Sequence, residues 1–332
     1  MGKNQVKNGN NFLKYLKYNL VYSRSMNASL IIFLAIMVIL FGALNSDFLA
    51  LQTLRSILIN LSIIGILCIG MTLVIITGEF DLSIGSIVAF CSVIIVSFFN
   101  LGLPIYLVIL LTLIIGMLAG AFNGLIVTRI RVNSVITTLG TMAILKGAAL
   151  LFTGEQPRIY NTDYYAIGRY SLFNWFPITT VYFIVLIIGF SLILKFTKFG
   201  RNIYSVGSNE YAARLSGISS RRIKFMSFVL SGFIASIAAI LITSQLSLGR
   251  PEFGDGVEIE VITIVVLGGI SILGGMGSYS GVIIALLLIT TINSGMVLID
   301  VPIYWRIVVR GLILIAALSI DSIKSRKRLS LK

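Results

Sequence analysis

Residues 195–224 read KFTKFGRNIYSVGSNEYAARLSGISSRRIK, a polar stretch between two long apolar runs. The stretch carries seven Lys or Arg residues against a single acid, Glu210. Basic residues resist transfer across a bilayer, so a loop of this charge stays on the cytoplasmic side. The stretch therefore predicts a chain that crosses a membrane and exposes this loop to the cytoplasm.

Inside this loop the sequence predicts a short capped helix. Asn209 is suited to cap its first turn, Glu210 follows where the helix dipole favours an acid, and Gly217 is suited to end it. Ala212, Ala213 and Leu215 between them favour helix. An exposed helix of this kind offers a partner protein a place to push. The alternative interpretation is a solvated connector with chance helix propensity.

The composition of the chain indicates a membrane protein. Its 332 residues are 57% hydrophobic and 11% charged, which is too apolar for one soluble core. The net charge of +14 is gathered at both termini and in the central loop, which indicates membrane topology and anionic lipid rather than nucleic acid. The absence of histidine excludes His-based catalysis and imidazole metal ligands. We expect no catalytic site, no metal and no cofactor bound by this chain.

Ten apolar runs of about the length of a bilayer span predict an all-α polytopic membrane protein. An even number of spans puts both termini on one side. With that side cytoplasmic, the inner loops are basic apart from 78–81, which is acidic, and 277–279, which is neutral, and the outer ones are neutral or acidic. The predicted parts are a basic segment 1–26, a transmembrane region 27–320 and a basic tail 321–332. The spans are 27–44, 56–77, 82–99, 104–127, 134–152, 177–194, 225–245, 261–276, 280–299 and 303–320.

The loop that departs from this charge pattern carries Glu79 and Asp81 among glycines and serines. Ionisable groups at membrane depth are costly and typical of functional sites, and broken helices line substrate cavities in transporters. One interpretation is therefore a broken helix along a transport pathway. The other is a polar turn in which Asp81 caps the next helix through the amides of Ser83 and Ile84.

Small residues and an isolated charge mark the fourth and fifth spans. Gly116, Gly120 and Gly124 recur at four-residue spacing, which favours close packing of one helix on another. Lys146 is a single charge within the fifth span. We expect it either to extend toward the membrane surface or to pair with an acid.

Three later segments are also distinctive. Residues 153–176 are rich in aromatics, as expected at a membrane interface. Residues 246–260 carry four acids, among them Glu260, and predict an acidic docking patch on the outer face. Residues 267–278 are glycine-rich but lack the Lys-Ser or Lys-Thr of a nucleotide-binding loop, so they predict a short or interrupted helix beside a cavity.

Several motifs occur in order over roughly residues 55–322. They are GMTLVIITG at 70–78, DLSIGS at 81–86, TLGTM at 138–142, GRNIYSVGSNE at 200–210, AARLSGI at 212–218, VLGG at 266–269 and the closing segment 311–321. In this order they resemble the ribose-type sugar permeases, the membrane subunits of ATP-binding-cassette importers of bacteria.

The resemblance implies a ten-helix permease in the bacterial inner membrane, paired with a second copy or a related permease chain. Two cytoplasmic ATPase subunits would carry the ATP and Mg, and an extracytoplasmic sugar-binding protein would deliver substrate. It also implies a coupling helix seated in the ATPase, formed by Asn209, Glu210, Ala212, Ala213, Arg214, Leu215 and Gly217. Glu79 stands where such permeases usually have an uncharged residue, which leaves the sugar open among ribose, other pentoses, hexoses and a furanosyl signalling molecule.

A sugar pathway needs hydrogen-bonding groups spaced along apolar walls. The predicted pathway residues are Glu79, Asp81, Ser83, Asn123, Asn133, Thr138 and Asn293. Two alternatives remain: a nucleoside or branched-chain amino-acid permease of the same superfamily, and an ion-coupled carrier with Asp81 and Lys146 as coupling charges. An intramembrane enzyme is not favoured, because the sequence offers no catalytic set.

Overall fold

The computed structural model describes residues 27–153 and 158–329. The predicted segment 1–26 and residues 330–332 of the predicted tail lie outside the described residues. The elements are α1 Asn27–Leu44, a 3-10 turn Ser46–Leu49, α2 Leu51–Ile76, α3 Ile84–Asn100, α4 Ile105–Leu125 with a π-helical turn Ile126–Ile130, α5 Ser134–Phe152, α6 Thr162–Arg169, β1 Ser171–Leu172, β2 Phe176–Pro177, α7 Ile178–Phe196, α8 Lys198–Ser208, α9 Glu210–Leu215, α10 Ser220–Leu246, a 3-10 turn Pro251–Gly254, α11 Val257–Leu267, α12 Tyr279–Leu298 and α13 Ile303–Leu329.

Helices dominate this architecture, and the single sheet is the short antiparallel pair of β1 and β2 within the described ranges. Seven helices of the described chain are long and apolar enough to cross a membrane. The shorter apolar helix α3, together with α11 and α13, brings the number to about ten. The predicted all-α multispan membrane protein is confirmed, whereas the side on which the termini lie stays a prediction.

The centre of the molecule is α2, which contacts α7, α10, α11 and α12. Over an apolar stretch of 18 residues in α2, 83% of the residues are buried, against 22% in a stretch of the same length in the helix that includes α4. The outer helices instead expose large apolar side chains, such as Ile39 at 71%, Leu118 at 62% and Leu151 at 86%. Lipid tails are as apolar as these side chains, so the exposed surface suits a bilayer.

Helices α4 and α10 contact each other closely through small residues. A Cβ built on Gly116 would lie 2.4 Å from the Gly232 carbonyl oxygen, and one on Gly120 would lie 2.2 Å from that of Phe228. Side chains at these positions would separate the two backbones. The prediction that the glycines of the fourth span serve close packing is therefore confirmed.

Helices that cross in alternating directions leave the molecule with two ends. The turn 77–83, α8, α9 and the loop 268–278 meet at one end, here named the α9 end. There the Gly275 amide donates to the Ile76 carbonyl at 2.8 Å. At the opposite end, named the α6 end, α6 lies with the β hairpin, and the Ile159 amide donates to the Ser247 carbonyl at 2.9 Å.

Two predicted helix bounds were wrong. The span 261–276 is the short helix α11, which ends at Leu267, because the following glycines adopt positive φ angles, such as 86° at Gly269 and 81° at Gly274. This segment packs against α2 and α8, and a cavity beside it stays a prediction. The last helix continues past Asp321 to Leu329, since the sequence there contains no Gly or Pro to end it.

Candidate functional site

The short helix α9 has both ends formed by local hydrogen bonds. Asn209 is extended, and its side-chain oxygen accepts a hydrogen bond from the Ala212 amide at 3.0 Å. At the other end Gly217 has a φ of 78°, and the Ile218 amide donates to the Ala213 carbonyl at 3.0 Å. A glycine avoids the strain that a Cβ would cause at this positive φ. The predicted capped helix is confirmed.

One side of α9 packs inward and the other is open. Ala213 is 5% exposed, whereas Tyr211 and Leu215 are each 73% exposed. Residues four apart share one face of a helix, so Tyr211 and Leu215 form a small apolar surface. Leu215 is among the predicted coupling residues. Tyr211 was missed, because one aromatic in a polar loop carries no distinct signal.

Lys224, near the start of α10, ties α9 to the rest of the chain. Its Nζ lies 2.6 Å from Oε1 of Glu79 and 2.8 Å from Oε2 of Glu210. Arg214 pairs with the other oxygen of Glu210. The side chains of Lys224 and Glu79 are each only 15% exposed, so water screens their pair less than an ordinary surface pair. Sequence reasoning missed Lys224 as a functional residue, because Glu79 is 145 residues away along the chain.

Asp81 is fully buried in the turn 77–83, two residues after Glu79. One carboxylate oxygen accepts hydrogen bonds from the Ser83 amide at 3.1 Å and the Ser83 hydroxyl at 2.6 Å. The other accepts from the Ser231 hydroxyl on α10 at 2.8 Å. The predicted bond of the Asp81 carboxylate to the Ser83 amide is thus present, but Ser83 rather than Asp81 is the N-cap residue of α3, and the carboxylate also joins the turn to α10.

The hydrogen bonds continue from this carboxylate into α4 and α5. The Asn123 side-chain amide donates to the Ser83 hydroxyl at 2.8 Å and accepts from the Thr141 hydroxyl at 2.6 Å. The Leu82 amide donates to Thr138 Oγ1 at 3.1 Å. Four of the predicted pathway residues are therefore brought together, and all four side chains are buried. They are Asp81, Ser83, Asn123 and Thr138.

The fold spans a membrane and carries an exposed capped helix, α9, at one end. Because α9 is connected to the turn that holds a buried polar network, this arrangement suits a transport subunit driven by a partner protein. The family model described as "Branched-chain amino acid transport system / permease component" matches residues 53–318. The chain belongs to this permease family. It is thus a transport permease component.

Curated relatives align with the permease over most of their length. It is 36% identical over 302 residues to the ribose import permease protein RbsC of Haemophilus influenzae, covering 89% of this chain and 93% of that protein. It is also 36% identical over 284 residues to the autoinducer 2 import system permease protein LsrC of Photorhabdus luminescens, covering 85% of each. No solved structure matches the permease.

The remaining predicted pathway residues of the permease lie apart from the Asp81 network. Glu79 pairs with Lys224 at the α9 end. Asn133 is exposed and caps α5, where its side-chain oxygen accepts from the Val135 amide at 2.9 Å. Asn293 donates to Glu260 at 2.7 Å. Contact of any of these residues with substrate stays a prediction.

Lys146 and Glu260, near the α6 end, each pair with a charged residue that the sequence alone did not identify. Lys146 pairs with Asp255 and also donates to the Pro251 carbonyl at 2.7 Å, so it pairs with an acid. Glu260 is only 7% exposed and lies 3.0 Å from Arg310, so its predicted place in an exposed acidic patch was wrong. Glu260 lies inside α11, where α12 and α13 supply partners for its carboxylate.

The pKa of the Glu210 carboxyl in the permease is below its usual value. Burial raises this pKa, but the hydrogen bonds and charges of Lys224 and Arg214 outweigh burial and lower it. A lowered folded-state pKa contributes stability that is present above the unfolded value and is lost as the pH falls through the folded value.

We therefore expect Glu210→Gln to lower the melting temperature of the purified permease at about pH 7, where Glu210 is charged. The difference between wild type and variant should shrink below the ordinary Glu value of 4.5 and vanish once Glu210 is protonated. Thermal unfolding in detergent across this range measures it. A difference that stays constant with pH would mean that the charge of Glu210 does not stabilise the fold.

Proposed function

We propose that this chain is the membrane-spanning subunit of an ATP-binding-cassette importer that takes up a monosaccharide. The substrate is a ribose-like pentose, a hexose or a related furanosyl compound. Separate cytoplasmic ATPase subunits supply the energy, and an extracytoplasmic binding protein delivers the sugar. The membership of the permease family and the relatives named for import of ribose and autoinducer 2 support this proposal.

The single observation that carries the proposal is α9. It is a capped helix whose exposed face presents Tyr211 and Leu215, while Lys224 ties Glu210, at the start of the helix, to Glu79 in the turn 77–83. A surface of this kind can receive a force from a partner and pass it inward. In the proposed importer this face docks on an ATPase subunit, and the α9 end is cytoplasmic. The excess of Lys and Arg in 195–224 supports this orientation.

The proposed mechanism is alternating access between two permease subunits, which are either two copies of this chain or this chain and a related one. Closure of the ATPase subunits on ATP moves the two α9 helices, and the attached membrane helices shift from an outward-open to an inward-open arrangement. ATP drives this change only to the extent that the ATPase binds the two arrangements with different affinities. The sugar passes between the subunits in the bacterial inner membrane.

A second substrate class is favoured by one specific observation. The description of the family names branched-chain amino acids, so leucine-like substrates are the competing proposal. An ion-coupled carrier has less support. Lys146 pairs with Asp255 near the α6 end, whereas Asp81 bonds to Ser83 and Ser231, so the two suggested coupling charges belong to different networks.

Reconstitution of the purified chain into liposomes tests the proposal. A cytoplasmic ATPase and an extracytoplasmic binding protein, sought in the neighbouring reading frames, are added in turn, and uptake of radiolabelled D-ribose is measured. We expect uptake only with both partners and ATP, and competition by unlabelled sugars but not by leucine. Uptake by the chain alone on an ion gradient would contradict the importer, and uptake of leucine in place of ribose would favour the competing substrate class.

A further inference from the structure

One ammonium group joins two carboxylates that belong to different elements. Glu79 lies in the turn between α2 and α3, Glu210 opens α9, and Lys224 stands on α10 between them. The three side chains come together only through folding, since Lys224 is 14 residues from Glu210 and 145 from Glu79. Lys224 therefore supplies a direct polar connection between α9 and the turn.

The turn is itself held firmly on its other side. The Phe80 amide donates to the Ser134 hydroxyl at 3.2 Å, and the Leu82 amide donates to Thr138 at 3.1 Å. The residue between them, Asp81, is buried and bound to α10 through Ser231. A displacement of Glu79 must therefore move backbone that is hydrogen-bonded to α5, together with the carboxylate that reaches α10.

The charges around Lys224 favour the arrangement in which its ammonium group contacts both Glu79 and Glu210. Its Nζ has a carboxylate on either side, and the side chain is 15% exposed, so removing one carboxylate leaves a partly buried cation with a single partner. The energetic penalty for an unpaired charge rises as water is excluded. Arg214, which also lies on α9, pairs with Glu210 and holds its carboxylate against the helix. The carboxylate therefore moves together with α9.

We propose that Lys224 is a positioning residue that transmits a displacement of α9 to the α2–α3 turn and, through that turn, to the buried carboxylate of Asp81. The proposal rests on the proposed function, because a partner must displace α9, and it names the residues that carry the movement into the membrane region. Glu79 is then a part of the coupling device rather than of the sugar pathway. Its negative charge is required because it faces an ammonium group.

The first experiment needs neither ATPase nor sugar. Amide hydrogen exchange of 209–217 is measured for the full chain in nanodiscs of phosphatidylethanolamine and phosphatidylglycerol. Glu79→Gln, which keeps the size of the side chain, should speed exchange in α9 about tenfold even though the substitution lies in another element. In a Lys224→Met background, Glu79→Gln should add nothing, because the connection is already cut.

Asp255→Asn is the matched control for this experiment, since it removes the ion pair of Lys146 near the opposite end. Exchange of 209–217 should stay at the wild-type rate in this control. Unchanged exchange in Glu79→Gln would overturn the proposal, and so would an equal effect of Glu79→Gln with and without Lys224. This result does not depend on whether the chain imports sugar.

The second experiment measures coupling in the assembled importer. Uptake of radiolabelled D-ribose per ATP hydrolysed should fall about fivefold in Glu79→Gln and in Lys224→Met, and Lys224→Arg should recover most of it, because an arginine can contact both carboxylates. An unchanged ratio in Glu79→Gln would overturn the proposal. If the wild-type assembly imports neither ribose nor any other sugar, the proposed function is wrong. The exchange experiment still decides whether Lys224 connects α9 to the turn.

Discussion

Replacing Gly207 with alanine should lower the free energy of unfolding by about 3 kcal/mol or more, because the added methyl group has no room. A Cβ on Gly207 would lie 1.8 Å from the Ile76 carbonyl oxygen and 2.5 Å from the Gly275 amide nitrogen. Those two atoms belong to groups that bond to each other at 2.8 Å. Both obstacles are backbone, so a side-chain rotation cannot relieve the overlap. The α9 end must therefore open.

Thermal unfolding in detergent measures this loss, and the yield of folded protein should fall with it. Gly189→Ala in α7 is the matched control, since nothing lies within 4 Å of a Cβ built there. Alanine favours helix over glycine by about 1 kcal/mol, so the control should be as stable as wild type or slightly more stable. A Gly207→Ala variant with the wild-type melting temperature would show that α8 does not press on the end of α2 this closely.

The helices and their membrane class were predictable because the apolar runs of this chain are long and uninterrupted. The capped helix α9 was equally accessible, since Asn209, Glu210 and Gly217 act through local backbone geometry. The bounds of the short helix α11 were predicted wrongly, as 261–276 instead of Val257–Leu267. Its apolar residues continue into 270–273, and hydropathy alone does not register the positive φ angles that Gly269 and Gly274 adopt.

The connections of the candidate site were less predictable, because they join residues that are distant in sequence. Sequence reasoning placed Glu79 beside Asp81 on a single pathway, but the structure separates their side chains. Asp81 turns into a buried network with Ser231, whereas Glu79 meets Lys224. The periodicity of apolar residues predicts which face of a helix is buried, but it does not predict which residue of another helix contacts that face. Tertiary packing alone determines which of two neighbouring acids is buried.

Replacing Asp81 with alanine should be the most damaging change within the polar network. The Ser83 amide and hydroxyl and the Ser231 hydroxyl would all lose their acceptor in a fully buried place. Each buried donor left without a partner costs about 1–3 kcal/mol, so we expect a loss of about 3–5 kcal/mol after partial relaxation. Because this network joins α3, α4, α5 and α10, sugar uptake should be lost together with stability.

Asp81→Asn keeps the size and shape of the side chain but removes its negative charge. Its side-chain oxygen can still accept from Ser83, and its nitrogen can donate to the Ser231 hydroxyl, so most of the stability should return. Asp47→Ala should leave the melting temperature unchanged, because the Asp47 side chain is exposed and only the backbone of Asp47 forms hydrogen bonds within the described part of the chain. If Asp81→Asn regains stability but not uptake, the negative charge itself serves transport. If Asp81→Ala unfolds at the wild-type temperature, the buried network does not hold these helices together.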